Sequence, residues 1–305
     1  MEQRLERRPF GRTDMTVSVL GFGGAEIGME AMDVGQGEAA KLVNEALDLG
    51  MNVLDTAPSY DTSEELIGRA VSHRRQEYYL FGKCGEGRSV GLEYPDWDAR
   101  NVRPSVERSL KRLRTDYLDL LLIHSCTEAV LRQGDLIDAV KRMKEAGLTR
   151  YIGYSGDSTD ALYAIRTGVF DALQTSLNIA DQEAISLTLG EAEERQMGVI
   201  AKRPVANVVW ERSPDSPNYP RTYLDRLRKL DYPFMSRKPG TMLECAIRFT
   251  ISVPQVSTAI IGTTDPKHLK DNVSCAAKGK LTATEMNEIR TRWQEVCEPA
   301  WAGMK

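Results

Sequence analysis

Short apolar runs recur along the chain, each closed by turn residues and followed by a segment whose apolar positions have helical spacing. Eight runs stand out: Val17–Gly23, Asn52–Asp55, Tyr78–Lys83, Tyr117–His124, Thr149–Ser155, Ala172–Ser176, Gly198–Arg203 and Val256–Gly262. Amphipathic segments lie between them, among them Glu38–Leu49, Val102–Leu113, Leu136–Ala146 and Ala184–Gln196. In the first, Leu42, Ala46 and Leu49 share a face and Gly50 follows as a C-cap. The pairs Thr62/Glu65, Thr241/Glu244 and Thr282/Glu285 have capping-box spacing and predict three further helix starts. Arg7–Val19 reads as a short hairpin ahead of the first run. The proline-interrupted stretch Pro204–Gly240 is long for a loop and reads as a partial lid.

Strands alternating with helices imply parallel pairing, in an eight-stranded barrel or an open doubly wound sheet. The polar positions separate the two. Asp55, Lys83, His124, Ser155 and Gln174 each fall at or near the carboxyl end of a run. A barrel gathers these ends on one face, where its active site sits. An open sheet calls for a glycine-rich phosphate turn after its first strand. In Gly21-Phe22-Gly23-Gly24-Ala25-Glu26 the third glycine of GxGxxG is replaced by Glu26. The expected architecture is therefore α/β: a (β/α)8 TIM barrel with an N-terminal β-hairpin and a long loop after the seventh strand. Its 305 residues form a single domain, 1–305, a length such barrels commonly reach.

Composition acts mainly by exclusion. Hydrophobic residues at 41% and charged residues at 28% rule out wholesale disorder. A net charge of −4, from 40 basic and 44 acidic residues, leaves no general footprint for nucleic acid or an anionic membrane, so neither partner is expected. No apolar run approaches the ~20 residues of a membrane span, and the first ten residues have no apolar signal core. Five cysteines without CxxC spacing point to a reduced, cytoplasmic protein. Three histidines and no HExxH point away from a metal site. Oligomeric state stays open, with a monomer slightly favoured.

The strand ends, taken as one site, suggest a chemistry. Asp55 and Lys83 are each expensive to bury unless paired. Tyr60 lies five residues past Asp55. A phenol titrates near ~10, too high for efficient proton exchange at neutrality. A cation about 4 Å away in an effective dielectric of ~20 supplies ~4 kcal/mol, enough to lower that value substantially. Lys83 would thus tune Tyr60 as a general acid while Asp55 keeps Lys83 charged. His124 offers an imidazole N–H to a carbonyl oxygen. No nucleophile with its own base and oxyanion nest is evident. The set fits carbonyl polarisation with proton delivery, and the missing reagent is a hydride from a cofactor.

At these residues the chain resembles the aldo-keto reductase superfamily over nearly its whole length. The matching stretches include Asn52-Val-Leu-Asp-Thr-Ala-Pro-Ser-Tyr, Phe81-Gly-Lys, the segment from Ser109 to His124, Tyr151-Ile-Gly-Tyr-Ser and Ile261-Gly-Thr-Thr-Asp-Pro-Lys-His. The resemblance implies a catalytic tetrad of Asp55, Tyr60, Lys83 and His124. It implies NADP(H), ahead of NAD(H), laid across the barrel mouth. Ser155 and Gln174 would hold the nicotinamide carboxamide. Thr263, Thr264, His268, Asp271 and Asn272, with Lys267 beside them, would hold the adenosine end at the start of the last barrel helix. Gly23, Gly24 and Asp55 complete the implied cofactor site. The chain departs from the family pattern at three places. Ser155-Gly156 stands for the usual Ser-Asn. Lys202-Arg203-Pro204-Val205 stands where the seventh strand usually ends in a ring stacked on the nicotinamide. Gly262 and His268 replace the Lys and Arg often found at the 2′-phosphate.

The implied function is NADPH-dependent reduction of an aldehyde or ketone to an alcohol, with Tyr60 as proton donor and a small-molecule carbonyl as substrate. Two alternatives stand beside it. One is a Schiff-base lyase or aldolase on the same barrel, through Lys83 or Lys202. The other is a non-catalytic NADP(H)-binding regulatory subunit. Tyr94, Trp97 and Trp210 are candidate pocket rings in mouth loops, and Cys84 and Cys126 read as packing residues.

Overall fold

The computed structural model describes residues 5–29, 35–211, 221–236 and 240–304. Two short strands, β1 (Arg7–Pro9) and β2 (Thr16–Ser18), pair antiparallel with Arg8 opposite Val17. Eight more follow: β3 (Leu20–Gly23), β4 (Val53–Asp55), β5 (Tyr79–Cys84), β6 (Leu118–His124), β7 (Thr149–Ser155), β8 (Ala172–Ser176), β9 (Gly198–Lys202) and β10 (Thr258–Ile261). They pair parallel in chain order, and β10 closes on β3 to complete a (β/α)8 barrel. Each predicted run carries one barrel strand, with small differences at the ends. Among the described residues no helix is long and apolar enough to cross a membrane.

Helix starts were legible only in part. Thr282 and Glu285 form the expected reciprocal capping box at the head of Ala283–Val296. Thr62 does not cap: its hydroxyl donates to the Gly28 carbonyl at 3.1 Å, which ties the loop after β3 to the loop after β4. Thr241 is already the first residue of its helix, with Gly240 as N-cap, and Glu244 instead meets Arg248 and Lys278. The segment read as one helix over Ala184–Gln196 is two, Glu183–Leu187 and Leu189–Glu194, broken at Thr188 with φ −123°. The stretch after β9 is more than a loop. Its helix Arg221–Leu230 turns Tyr223, Leu227 and Leu230 inward, while 212–220 and 237–239 lie outside the described residues.

The period-2 alternation of a strand explains both core and site. The inward-facing positions of the lower barrel are apolar: Val53, Phe81, Leu120, Leu122, Ala172, Ile200 and Ile260 form one cluster. Two residues further along, the same face carries Asp55, Lys83, His124, Gln174 and Lys202. Space is tight enough inside that a Cβ on Gly21 would stand 2.6 Å from the Ile260 side chain. The hairpin closes the amino end of the barrel. Its Phe10, Met15 and Val17 are fully or almost fully buried in the interior cluster, and the Phe10 ring lies 5.3 Å from that of Phe81. The apolar plug leaves only the carboxyl end open. Phe10→Ala should therefore lower stability by about 3–5 kcal/mol. Equilibrium chemical denaturation checks this, and ligand affinity at the far end of the barrel should stay within two-fold.

Candidate active site

The barrel register assembles the site. Gly23 pairs with Asp55, His124 with Ser155, Ser155 with Gln174, and Ser176 with Lys202. These rows place the inward polar side chains around one cleft of about 420 Å³ at the carboxyl mouth. Its walls include Asp55, Tyr60, His124, Ser155, Gln174 and Lys202. The sequence-derived Gly23, Arg203, Pro204, Val205 and Gly262 also border it.

Below the cleft floor, Lys83 is 2% exposed. Its Nζ donates to Asp55 Oδ1 at 2.5 Å and to the Thr56 carbonyl at 3.2 Å. Burial works against the ammonium, but Asp55 and Tyr60 more than offset it and hold Lys83 above the ordinary lysine range. Asp55 Oδ2 accepts from Gln174 Nε2 at 2.9 Å, and Gln174 Oε1 accepts from the Ser155 hydroxyl at 2.9 Å. A continuous chain Lys83–Asp55–Gln174–Ser155 results. The Tyr60 ring lies 5.0 Å from Lys83 Nζ and edge-on to His124, with ring centroids 6.1 Å apart. The sequence led us to expect Lys83 to lower the Tyr60 pKa. Here burial pushes the phenol up and outweighs the downward pull of Lys83. Tyr60 is therefore held in its protonated form.

Several residues escaped the sequence reading. Glu86, in the turn Gly85-Glu86-Gly87 just past β5, places Oε1 2.5 Å from His124 Nδ1 and accepts from the Ser59 hydroxyl at 2.8 Å. A carboxylate between two glycines directly after the lysine strand was the available signal. Asp157 is 1% exposed and pairs with Lys202 Nζ at 2.8 Å. Glu26 and Asn207 line the cleft as well. A Cβ on Gly156 would stand 2.5 Å from the Tyr154 hydroxyl oxygen. That hydroxyl donates to the Cys126 carbonyl, so Tyr154 leaves no room for the asparagine usual at this place.

Other expectations resolve unevenly. Gly24 sits behind the cleft, its N–H bonded to the Asp55 carbonyl at 2.8 Å. Arg203 Nη1 donates to the Met304 carbonyl at 2.6 Å and to Ser176 Oγ at 2.9 Å, which binds the C-terminal tail to the mouth. Thr263 and Thr264 lie on the turn after β10, and Asp265 caps the helix Pro266–Ala277 through the Lys267 N–H. Lys267, His268 and Asp271 are exposed on that helix, whereas Asn272 is buried. None of these residues lines the cleft, which ends at Gly262 on this side. Trp97, with φ +62°, donates its indole N–H to the His124 carbonyl at 2.9 Å. None of Tyr94, Trp97 and Trp210 lines the cleft. Cys84 and Cys126 are fully buried, and burial pushes the Cys84 thiol well up, as for packing residues.

The cleft suits an amide-bearing ring. Ser155 Oγ and the Gln174 side chain are buried at its base. The Gln174 amide keeps an N–H and a lone pair beyond the bonds just named, enough to meet both ends of a carboxamide.

Comparison with known proteins places the chain among its relatives. The L-galactose dehydrogenase of Arabidopsis thaliana is 27% identical over 310 residues, covering 97% of this chain and 95% of its own. The NADH-specific methylglyoxal reductase of Escherichia coli is 23% identical, covering 88% of this chain and 93% of its own. The holo-form structure of an aldo-keto reductase from Bacillus halodurans superposes with a TM-score of 0.81 at 27% identity, covering 94% of this chain and 96% of that one. The model of the aldo/keto reductase family matches residues 19–294, and with the barrel and cleft in place the chain belongs to that family of nicotinamide-dependent oxidoreductases.

Proposed function

We propose that the chain is one barrel domain that reduces a small aldehyde or ketone to the alcohol with NADPH, Tyr60 delivering the proton. The observation that carries this reading is the buried Lys83–Asp55 pair at 2.5 Å beneath the Tyr60 ring, in the same cleft as His124. A bound nicotinamide would supply the hydride. Ser155 and Gln174 would hold its carboxamide. His124 would orient the carbonyl oxygen, Tyr60 would protonate it as the carbon is reduced, and Lys83 would stabilise the phenolate left behind. Asp55 keeps Lys83 an ammonium, which removes it as a Schiff-base nucleophile. The exposed Lys267 and His268 favour a 2′-phosphate over a free hydroxyl, and support NADP(H) ahead of NAD(H).

Three outcomes are expected. Tyr60→Phe should lower kcat for carbonyl reduction by about 10²–10⁴-fold while the cofactor Kd stays within a few-fold. Retained turnover on a substrate that needs protonation would refute the assignment. Lys83→Met should cost about as much and Asp55→Asn less, and the double variant should be no worse than Lys83→Met alone, because the residues act as one unit. Steady-state kinetics of the three proteins measures this. Fluorescence titration should give a Kd for NADPH at least ten-fold below that for NADH, since charge-assisted bonds contribute about 1.5–3 kcal/mol each. Lys267→Ala should narrow that gap.

A further inference from the structure

The imidazole of His124 has two nitrogens, and the structure settles what each faces. Nδ1 meets Glu86 Oε1 at 2.5 Å, and Nε2 is the nitrogen left for the cleft. Glu86 is 11% exposed at its side chain. Burial pushes its carboxyl up, but the hydrogen bond and charge of His124 prevail, with help from Ser59, and hold it below the usual carboxylate range. The carboxylate is therefore ionised and can only accept. Its other oxygen, Oε2, is buried with no hydrogen-bond partner among the described residues. Ser59 Oγ donates to the same Oε1 at 2.8 Å, and Trp97 donates to the backbone carbonyl of His124.

We propose that Glu86 is a positioning residue for His124: it keeps a proton on Nδ1, so that Nε2–H is offered to a substrate oxygen only when the ring is an imidazolium. The consequence follows from proton counting. A neutral imidazole has one N–H. If Glu86 holds it at Nδ1, Nε2 carries a bare lone pair and repels a carbonyl oxygen. Taking up a second proton turns Nε2 into a donor without disturbing the Glu86 bond. No bond to substrate forms or breaks at His124; Tyr60 still transfers the proton in the reaction. The charged groups around the ring are Glu86 from the turn after β5, Lys83 from β5 beyond the Tyr60 ring, and Asp55, which is paired with Lys83. Ser155 from β7 and Tyr60 are neutral neighbours. Of the charged groups only Glu86 is in direct contact with the ring.

The kinetic part of this inference rests on the proposed reduction, so its test has a readout that needs no substrate. Nitrogen-15 NMR of the imidazoles, with His124 assigned by its loss in His124→Gln, reports which nitrogen is protonated. In the wild type Nδ1 should stay protonated across the titration and only Nε2 should gain and lose a proton. A neutral form with the proton on Nε2 overturns the proposal whatever the activity. In Glu86→Gln the amide oxygen can still accept from Nδ1 but the charge is gone. That amide can also donate to a bare Nδ1, so the neutral ring should populate both tautomers. In carbonyl reduction, kcat/KM of the wild type should fall on an alkaline limb as Nε2 loses its proton, mainly through KM. The limb should weaken in Glu86→Gln, whose neutral ring can offer Nε2–H, and vanish in His124→Gln, whose amide N–H does not titrate. A neutral ring still protonated on Nδ1 alone in a folded Glu86→Gln protein refutes the role of Glu86. If no carbonyl is turned over by any variant or the wild type, the proposed reduction falls and the NMR result still decides the role of Glu86.

Discussion

The structure at the mouth depends on a lysine ammonium taken out of water. Lys83 points into the barrel from the third barrel strand, and a buried unpaired charge would cost several kcal/mol. Asp55 meets it from the neighbouring strand, and the Thr56 carbonyl takes a second N–H. Asp55 in turn needs a donor on its other oxygen, which Gln174 supplies from across the barrel. Gln174 is oriented by Ser155. One buried cation thus ties together three further side chains from three other strands. Because the register is set by the apolar layers beneath, the positions of these side chains are set by packing far from the chemistry.

The same pairing decides what the lysine can and cannot do. Asp55 keeps it charged, which serves a neighbouring phenol and forbids attack on a carbonyl. Tyr60, however, is not made acidic in the free protein, because burial acts more strongly on it than Lys83 does. In the proposed reduction that balance would suit a donor that holds its proton until negative charge develops on the substrate oxygen. Lys83 would then act on the phenolate, the form it favours. On that reading the pair would stabilise the state after proton transfer, when the charge exists, and would not loosen the proton beforehand.

What could be read from the sequence divides along physical lines. Strand positions and their polar ends were legible because period-2 alternation and burial leave a strong local trace. Asp55, Lys83 and His124 stood out in this way, whereas Tyr60, on the loop past Asp55, was singled out by its spacing and the resemblance. Helix starts were less so: Thr62 has the spacing of a cap, but tertiary packing offers its hydroxyl the Gly28 carbonyl instead. Glu86 and Asp157 went unread because each acts through a partner distant in sequence, and a lone carboxylate after a strand is usually a surface charge. The expected lowering of the Tyr60 pKa failed because desolvation depends on atoms from the whole mouth, which no spacing encodes.

The two departures at the mouth, a glycine after Ser155 and a lysine at the end of the seventh barrel strand, are connected through Asp157. Gly156 is required by the Tyr154 hydroxyl, and the next residue, Asp157, turns inward and is almost fully buried. Its carboxylate accepts from the Thr175 hydroxyl at 2.9 Å, from the Ser176 N–H at 2.6 Å and pairs with Lys202 at 2.8 Å. The tail packs on top: a Cβ on Gly303 would stand 2.8 Å from that of Asp157, and Met304 is held by Arg203 and Ser176. An aromatic ring at Lys202 would leave Asp157 a buried anion without a cation, at a cost of about 3–5 kcal/mol. Restoring the ring alone is thus disfavoured, and so is restoring the asparagine alone, against Tyr154. Gly156, Asp157 and Lys202 thus form one packed unit at the mouth, and the C-terminal tail is fastened to it.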